Sequence, residues 1–194
     1  MGTSSSPADG AVEVAVLGSA RIGEDDPRYD DARRLGRLLA EQGWAVVTGG
    51  YGGLMGATSS GAAAAGGRTV GLPMSAWAHL TPHPSNAKLR WSDDYPQRLA
   101  FLLRTRVVIA LPGGVGTLAE AAAVWAAAQT EPGTARLVLA GPSWRRLLGA
   151  FAVELVVDAR DLALPVMVDE VDAVIPAVLS LLEAPPAPPP GARG

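Results

Sequence analysis

Five consecutive apolar residues, Val107-Val108-Ile109-Ala110-Leu111, give a strand at this point no polar face. Such a strand must be covered on both sides, which points to a parallel sheet held between two layers of helices. The run passes directly into Pro112-Gly113-Gly114-Val115-Gly116-Thr117-Leu118-Ala119-Glu120 and then into an alanine-rich segment of helical character. The order is strand, glycine-rich turn, helix start. Glycines let a backbone approach a ligand closely, and a helix N-terminus offers unpaired N–H groups and partial positive charge. An anion belongs there, most simply a phosphate resting on Gly113, Gly114, Gly116 and the Thr117 hydroxyl. Glu120, one turn into the helix, brings a carboxylate to the same neighbourhood. A carboxylate does not help to hold a phosphate, so Glu120 is expected to serve another part of the ligand.

The rest of the chain repeats this alternation. Residues 12–17 read as another buried strand, in which Val14, Ala15, Val16 and Leu17 leave no polar face, and end in Gly18-Ser19-Ala20-Arg21. Asp26-Pro27 has the form of a helix N-cap followed by proline at the first helical position. The helix carries Ala32, Leu35, Gly36, Leu39 and Ala40 on one face until Gly43 closes it. A second strand at 44–47 runs into Thr48-Gly49-Gly50-Tyr51-Gly52-Gly53-Leu54-Met55-Gly56, a helix of small residues follows, and 69–72 is a third strand. Residues 74–95 show no regular pattern and are read as a long loop or broken helix over the sheet edge, of the kind that is often functional.

Further on, a helix is expected at 96–105 with Leu99, Leu102 and Leu103 inward, then the 107–111 strand, then a helix at 115–129. That last helix is almost free of charge and is expected to be buried, either inside the fold or in a dimer interface. A strand at 136–140 and a helix at 144–151 come next. The β-branched content of 153–157 favours a strand over a continued helix. Residues 165–168 lead into a helix beginning near Asp169, which Pro176 either kinks or starts late. The expected fold is α/β, a doubly wound parallel sheet in a single domain over 11–183. It would be flanked by a disordered Ser/Gly/Ala-rich stretch at 1–10 and a proline-rich tail at 184–194.

Composition removes several classes of function. The net charge of −3 over 194 residues argues against a broad nucleic-acid-binding face. The chain has no cysteine, and His79 and His83 share one proline-containing stretch with no carboxylate cluster, so no metal site is expected. Lys88 is the only lysine and follows none of the glycine turns, which excludes a Walker-type phosphate loop. Its polar surroundings suit a pyridoxal Schiff base poorly, and no cofactor is expected. Neither a membrane-spanning stretch nor a signal peptide is visible, so the expected location is cytoplasmic.

In a doubly wound sheet, ligands bind beyond the carboxyl ends of the strands where strand order reverses. The turns at Gly18-Ser19, Gly49 to Gly53 and Gly113 to Gly116 are therefore expected to meet in one nucleotide-sized pocket. With all three in view the chain resembles the LOG (Lonely Guy) family, once called lysine decarboxylases. The resemblance covers about residues 12–150. It is carried by Gly49-Gly50-Tyr51-Gly52-Gly53-Leu54-Met55-Gly56, close to a GGGxxGLMG-type stretch, and by Pro112 to Glu120, a complete PGGxGTxxE.

The resemblance implies a Rossmann-like fold, a homodimer, and cleavage of a nucleoside 5′-monophosphate into free base and ribose 5-phosphate. Its implied ligand-binding residues are Gly113, Gly114, Gly116, Thr117, Gly18, Ser19, Gly50, Gly53 and Met55. Glu120 is the implied catalytic carboxylate. An arginine from the preceding helix is its implied companion, but counting back from Pro112 puts that position on Gln97, with Arg98 beside it. Either Arg98 serves or the arginine is missing. Arg21 is a further candidate for a ligand-facing cation. A non-hydrolytic carrier of a nucleotide or a molybdenum cofactor is the alternative on the same fold.

Overall fold

The computed structural model describes residues 11–131 and 133–184. Of the expected tails, residues 1–10 and all of 184–194 but Ala184 lie outside the described residues. Seven parallel strands form one sheet in the order β4-β3-β2-β1-β5-β6-β7. In chain order the elements begin β1 Glu13–Leu17, α1 Pro27–Glu41, β2 Ala45–Thr48, α2 Gly53–Ala64, β3 Thr69–Gly71 and β4 Lys88–Leu89. They continue α3 Tyr95–Leu103, β5 Val107–Ala110, α4 Val115–Thr130, β6 Arg136–Ala140, α5 Pro142–Glu154, α6 Ala159–Leu162, β7 Val166–Val168 and α7 Val174–Glu183. This is the Rossmann-like doubly wound architecture, with helices on both faces. None of the described helices is long and apolar enough to cross a membrane.

Alternate residues of the central strands feed two cores. Val14 and Val16 of β1 face the layer of α1, α2 and α7, while Ala15 and Leu17 face α3, α4 and α5. Burial on both faces is why β1, β2 and β5 read as unbroken apolar runs. Asp26 caps α1, accepting from the Arg28 backbone N–H, with Pro27 at the first helical position. The small residues of α2 have a steric role. A Cβ on Gly36 would stand 1.9 Å from the Thr58 carbonyl oxygen, and one on Gly61 would stand 1.8 Å from that of Arg33. Helices α1 and α2 cross backbone to backbone, and only glycine fits at the crossing.

Several expectations need correction. Residues 74–95 are largely a loop at the sheet edge, as expected, but they also hold a 3-10 turn at Ser75–Trp77 and the edge strand β4, which pairs with β3 through Val70 and Lys88. Residues 153–157 are not a strand. Val153 lies in the last turn of α5 and is 80% exposed, so its β-branched side chain has no sheet to pack against. Residues 166–168 are instead a seventh strand, paired with β6. The last helix begins as a 3-10 turn at Val171–Ala173 and becomes α-helical at Val174, which leaves Pro176 in the first turn, where its missing N–H costs no helical bond. In α4, for which burial inside the fold or in a dimer interface is expected, Ala121 and Val124 face the core of this chain while Val115, Leu118 and Ala122 face outward.

Candidate functional site

The order of the sheet reverses at β1, which has β2 on one side and β5 on the other. The three turns that leave these strands meet there, stitched by backbone hydrogen bonds. The Ser19 N–H donates to the Pro112 carbonyl at 3.1 Å, and the Leu54 N–H donates to the Ser19 carbonyl at 2.8 Å. Gly53 makes this contact possible. Its φ is +66°, and a Cβ there would stand 2.2 Å from the Ser19 oxygen.

A cleft of about 680 Å³ opens above the turns. Gly18, Ser19 and Met55 line it, as do Gly114, Gly116 and Thr117 at the start of α4. Gly114 is the N-cap of α4 and supplies no side chain to the first-turn N–H groups, and added Cβ atoms at Gly114 and Gly116 would meet nothing within 4 Å. Gly113 has a different role. A Cβ there would stand 2.2 Å from Thr117 Oγ1, so this glycine makes room for the threonine. It also borders a second cleft of about 510 Å³, shared with Ser19, Arg28 and Ser143. Gly50 and Gly53 do not line the main cleft; both have positive φ and shape the turn beneath it.

Two charged side chains are buried in the main cleft. Arg98 of α3 and Glu120 of α4 are 3% and 6% exposed, and Arg98 Nε donates to Glu120 Oε1 at 2.7 Å. Arg98 Nη1 also donates to the carbonyls of Gly49 and Leu72 at the ends of β2 and β3. A buried charge needs such a set of partners. Gln97 is not the inward residue. Its N–H donates to Asp94 Oδ1 at 2.8 Å, and its Oε1 accepts from the Asp93 N–H at 2.6 Å, a solvent-facing arrangement akin to a capping box. Asp94 thereby fixes the phase of α3 and turns Arg98 inward, one turn ahead of buried Leu102.

The opposite wall is aromatic. The Arg98 guanidinium carbon lies 5.8 Å from the centroid of Trp77, and the Tyr51 and Trp77 rings are 6.0 Å apart and tilted by 58°. Tyr51 Oη accepts from the Met74 N–H at 3.1 Å, which ties the 74–95 segment to the β2 turn. The Tyr95 hydroxyl is buried with no hydrogen-bond partner among the described residues. Burial raises its pKa above the ordinary 10.0, the charge of Glu120 raises it further, and Arg98 opposes both. Arg21 and His79 line the cleft as exposed residues.

The cleft therefore brings together Gly18, Ser19, Met55, Arg98, Gly114, Gly116, Thr117 and Glu120. Sequence reasoning passed over Tyr51, Trp77 and Tyr95 as site residues; the available signal was aromatic side chains within otherwise polar or glycine-rich stretches. Among the described residues no three His, Cys, Asp or Glu side chains are placed to hold a metal ion.

Residues 11–131, which include all three turns and the ion pair, match the SLOG cluster4 family. The chain belongs to this family. Among curated relatives of this SLOG protein, a cytokinin riboside 5′-monophosphate phosphoribohydrolase of Mycobacterium marinum is 37% identical over 97 residues, covering 48% of this chain and 52% of that protein. Its counterpart in Mycobacterium tuberculosis is 35% identical over the same shares. The chain thus spans about half the length of these relatives. Among solved structures, the molybdenum cofactor binding protein of Rippkaea orientalis aligns with a TM-score of 0.72 at 20% identity, covering 90% of this chain and 99% of that one. The molybdenum cofactor carrier protein of Chlamydomonas reinhardtii aligns at 0.70 and 24% over the same shares. At these identities the likeness is one of fold.

Proposed function

We propose that this SLOG protein is a phosphoribohydrolase, cleaving the N-glycosidic bond of a purine or cytokinin-type nucleoside 5′-monophosphate to free base and ribose 5-phosphate. The observation that carries this reading is the buried Arg98–Glu120 pair in the same cleft as the glycine-lined start of α4. The phosphate rests on the first-turn N–H groups of α4 and the Thr117 hydroxyl. The ribose then lies towards Glu120, one turn further along. As the bond from C1′ to the base nitrogen breaks, the electron pair leaves with the base and positive charge develops on the sugar. The Glu120 carboxylate stabilises that charge, and Arg98 fixes its orientation. Water completes the balance, its oxygen bonding to C1′ while a proton passes to the departing base. The two mycobacterial relatives named for this activity support the reading.

The test is to incubate purified protein with AMP and with an N6-substituted analogue, following free base by chromatography. Base release abolished by Glu120→Gln, with nucleotide binding retained, is the expected result. Folded protein that releases base from no nucleoside monophosphate overturns it.

A second reading has its own observation. Glu120 Oε1 is already engaged by Arg98, which suits a cleft that holds a nucleotide or a phosphorylated pterin such as the molybdenum cofactor without cleaving it. The carriers of the same fold are in line with it. Full recovery of intact nucleotide after long incubation with stoichiometric protein would favour the carrier. In either case we propose a homodimer formed through the outer face of α4, where Val115 is 84% exposed beside Leu118. Light scattering checks the mass.

A further inference from the structure

We infer that Trp77, braced by Tyr51, is the stacking platform for the planar ring of the ligand, so that this cleft selects an aromatic base joined to a phosphorylated sugar. The inference rests on the proposed phosphate position at the start of α4, and adds the other end of the ligand. The groups along the cleft follow one another by contact. Thr117 and Glu120 share a helix, Glu120 holds Arg98 at 2.7 Å, and Arg98 lies 5.8 Å from the Trp77 centroid. A ligand with its anion at Thr117 and its sugar at Glu120 therefore meets Trp77 next.

The chemistry changes along that line from hydrogen-bond donors, through a charged pair, to aromatic and apolar surface from Trp77, Tyr51, Met55 and Leu80. A half-buried indole beside a guanidinium suits a flat π-system, because stacking needs only a face and tolerates any base. The platform is also held in place. Tyr51 Oη accepts from the Met74 backbone N–H, the Met74 carbonyl accepts from the Trp77 backbone N–H at 2.9 Å, and the Ser75 backbone N–H donates to the Ser92 carbonyl at 2.9 Å. Trp77 is thereby fixed from the β2 turn and from the segment before α3, in front of the ion pair.

The experiment compares two probes by calorimetry. One is carbocyclic AMP, which cannot form an oxocarbenium ion, and the other is ribose 5-phosphate, which has no base. Trp77→Leu is expected to weaken carbocyclic AMP by about tenfold or more, the worth of one base stack, and to leave ribose 5-phosphate unchanged. Trp77→Phe retains most of the affinity, and the ligand-induced fluorescence quench of the wild type disappears with the indole. Equal loss for both probes, loss for neither, or a quench that survives Trp77→Phe overturns the platform. So does a wild type that binds carbocyclic AMP no more tightly than ribose 5-phosphate. Should Trp77→Leu not fold, the quench comparison decides. Base release from AMP is followed separately. Tight binding without release defeats the hydrolase reading and leaves the platform standing.

Discussion

Gly49 lies so close to Arg98 that a single added Cβ would stand 2.7 Å from Nη2 and 2.5 Å from the Met55 sulfur. The absence of a side chain at the end of β2 is what lets the guanidinium reach both the Gly49 carbonyl and Glu120. Gly49→Ala is accordingly expected to displace Arg98 and Met55 together. We predict overpacking of about 1–3 kcal/mol, read by urea denaturation. Activity should fall further than stability, by about a hundredfold in base release, because a small misplacement of a positioned group is costly. Wild-type activity in Gly49→Ala would show that Arg98 position does not matter.

The ion pair predicts an asymmetry between single and double substitutions. Arg98→Met leaves the Glu120 carboxylate buried without its partner, and the expected loss is about 3–5 kcal/mol. Arg98→Met combined with Glu120→Leu removes both charges and should recover most of that stability while remaining inactive. Chemical denaturation of the two single variants and the double variant completes a thermodynamic cycle. Additive losses would contradict a coupled pair.

Tyr95 predicts an effect at alkaline pH. Its phenol is raised above 10.0 by burial and by the neighbouring Glu120 charge. A group whose folded pKa lies above its unfolded value contributes stability that is full below the unfolded value and is lost as pH rises through the folded one. Stability should therefore decline from about pH 10 upward, and Tyr95→Phe should flatten that decline. Glu120→Gln removes one of the raising influences and should bring the phenol transition to lower pH, followed by ultraviolet absorbance against Tyr95→Phe.

Two helical glycines should respond in opposite directions to the same substitution. Gly36→Ala places a Cβ 1.9 Å from the Thr58 carbonyl at the crossing of α1 and α2, and a loss of about 3 kcal/mol or more is expected. Gly149→Ala, in α5 with open space around it, should stabilise by about 0.5–1 kcal/mol through helix propensity and a less flexible unfolded chain. Thermal melts of the pair separate steric from propensity effects.

How legible the sequence was depended on how completely each residue is buried. Val14 to Leu17 and Val107 to Ala110 could be read at once, because strands covered on both faces tolerate no polar residue. Lys88 and Leu89 could not, since β4 is a two-residue edge strand whose side chains are exposed and its register comes from β3. Val153 misled because its β-branching has no packing consequence in a solvent-exposed helix end. At the site, the glycine turns were visible as local chemistry. The inward choice of Arg98 over Gln97 was not, since it follows from Asp94 capping α3 and setting its phase. Trp77 stayed hidden because its importance lies in a neighbour, Arg98, twenty-one positions along the chain.

Ser19 donates to Pro112 and accepts from Leu54, so three segments far apart in the chain share a single mechanical base. A residue inserted into any one of the turns would disturb the other two. The piece between β3 and α3 hangs from that base by its own contacts and carries Trp77 of the aromatic wall. If the proposed activity and stacking platform hold, reaction chemistry and ligand choice fall in separable parts of the polypeptide. Grafting residues 74–94 from one member of the family onto another is a route to a changed ligand range over an unchanged foundation.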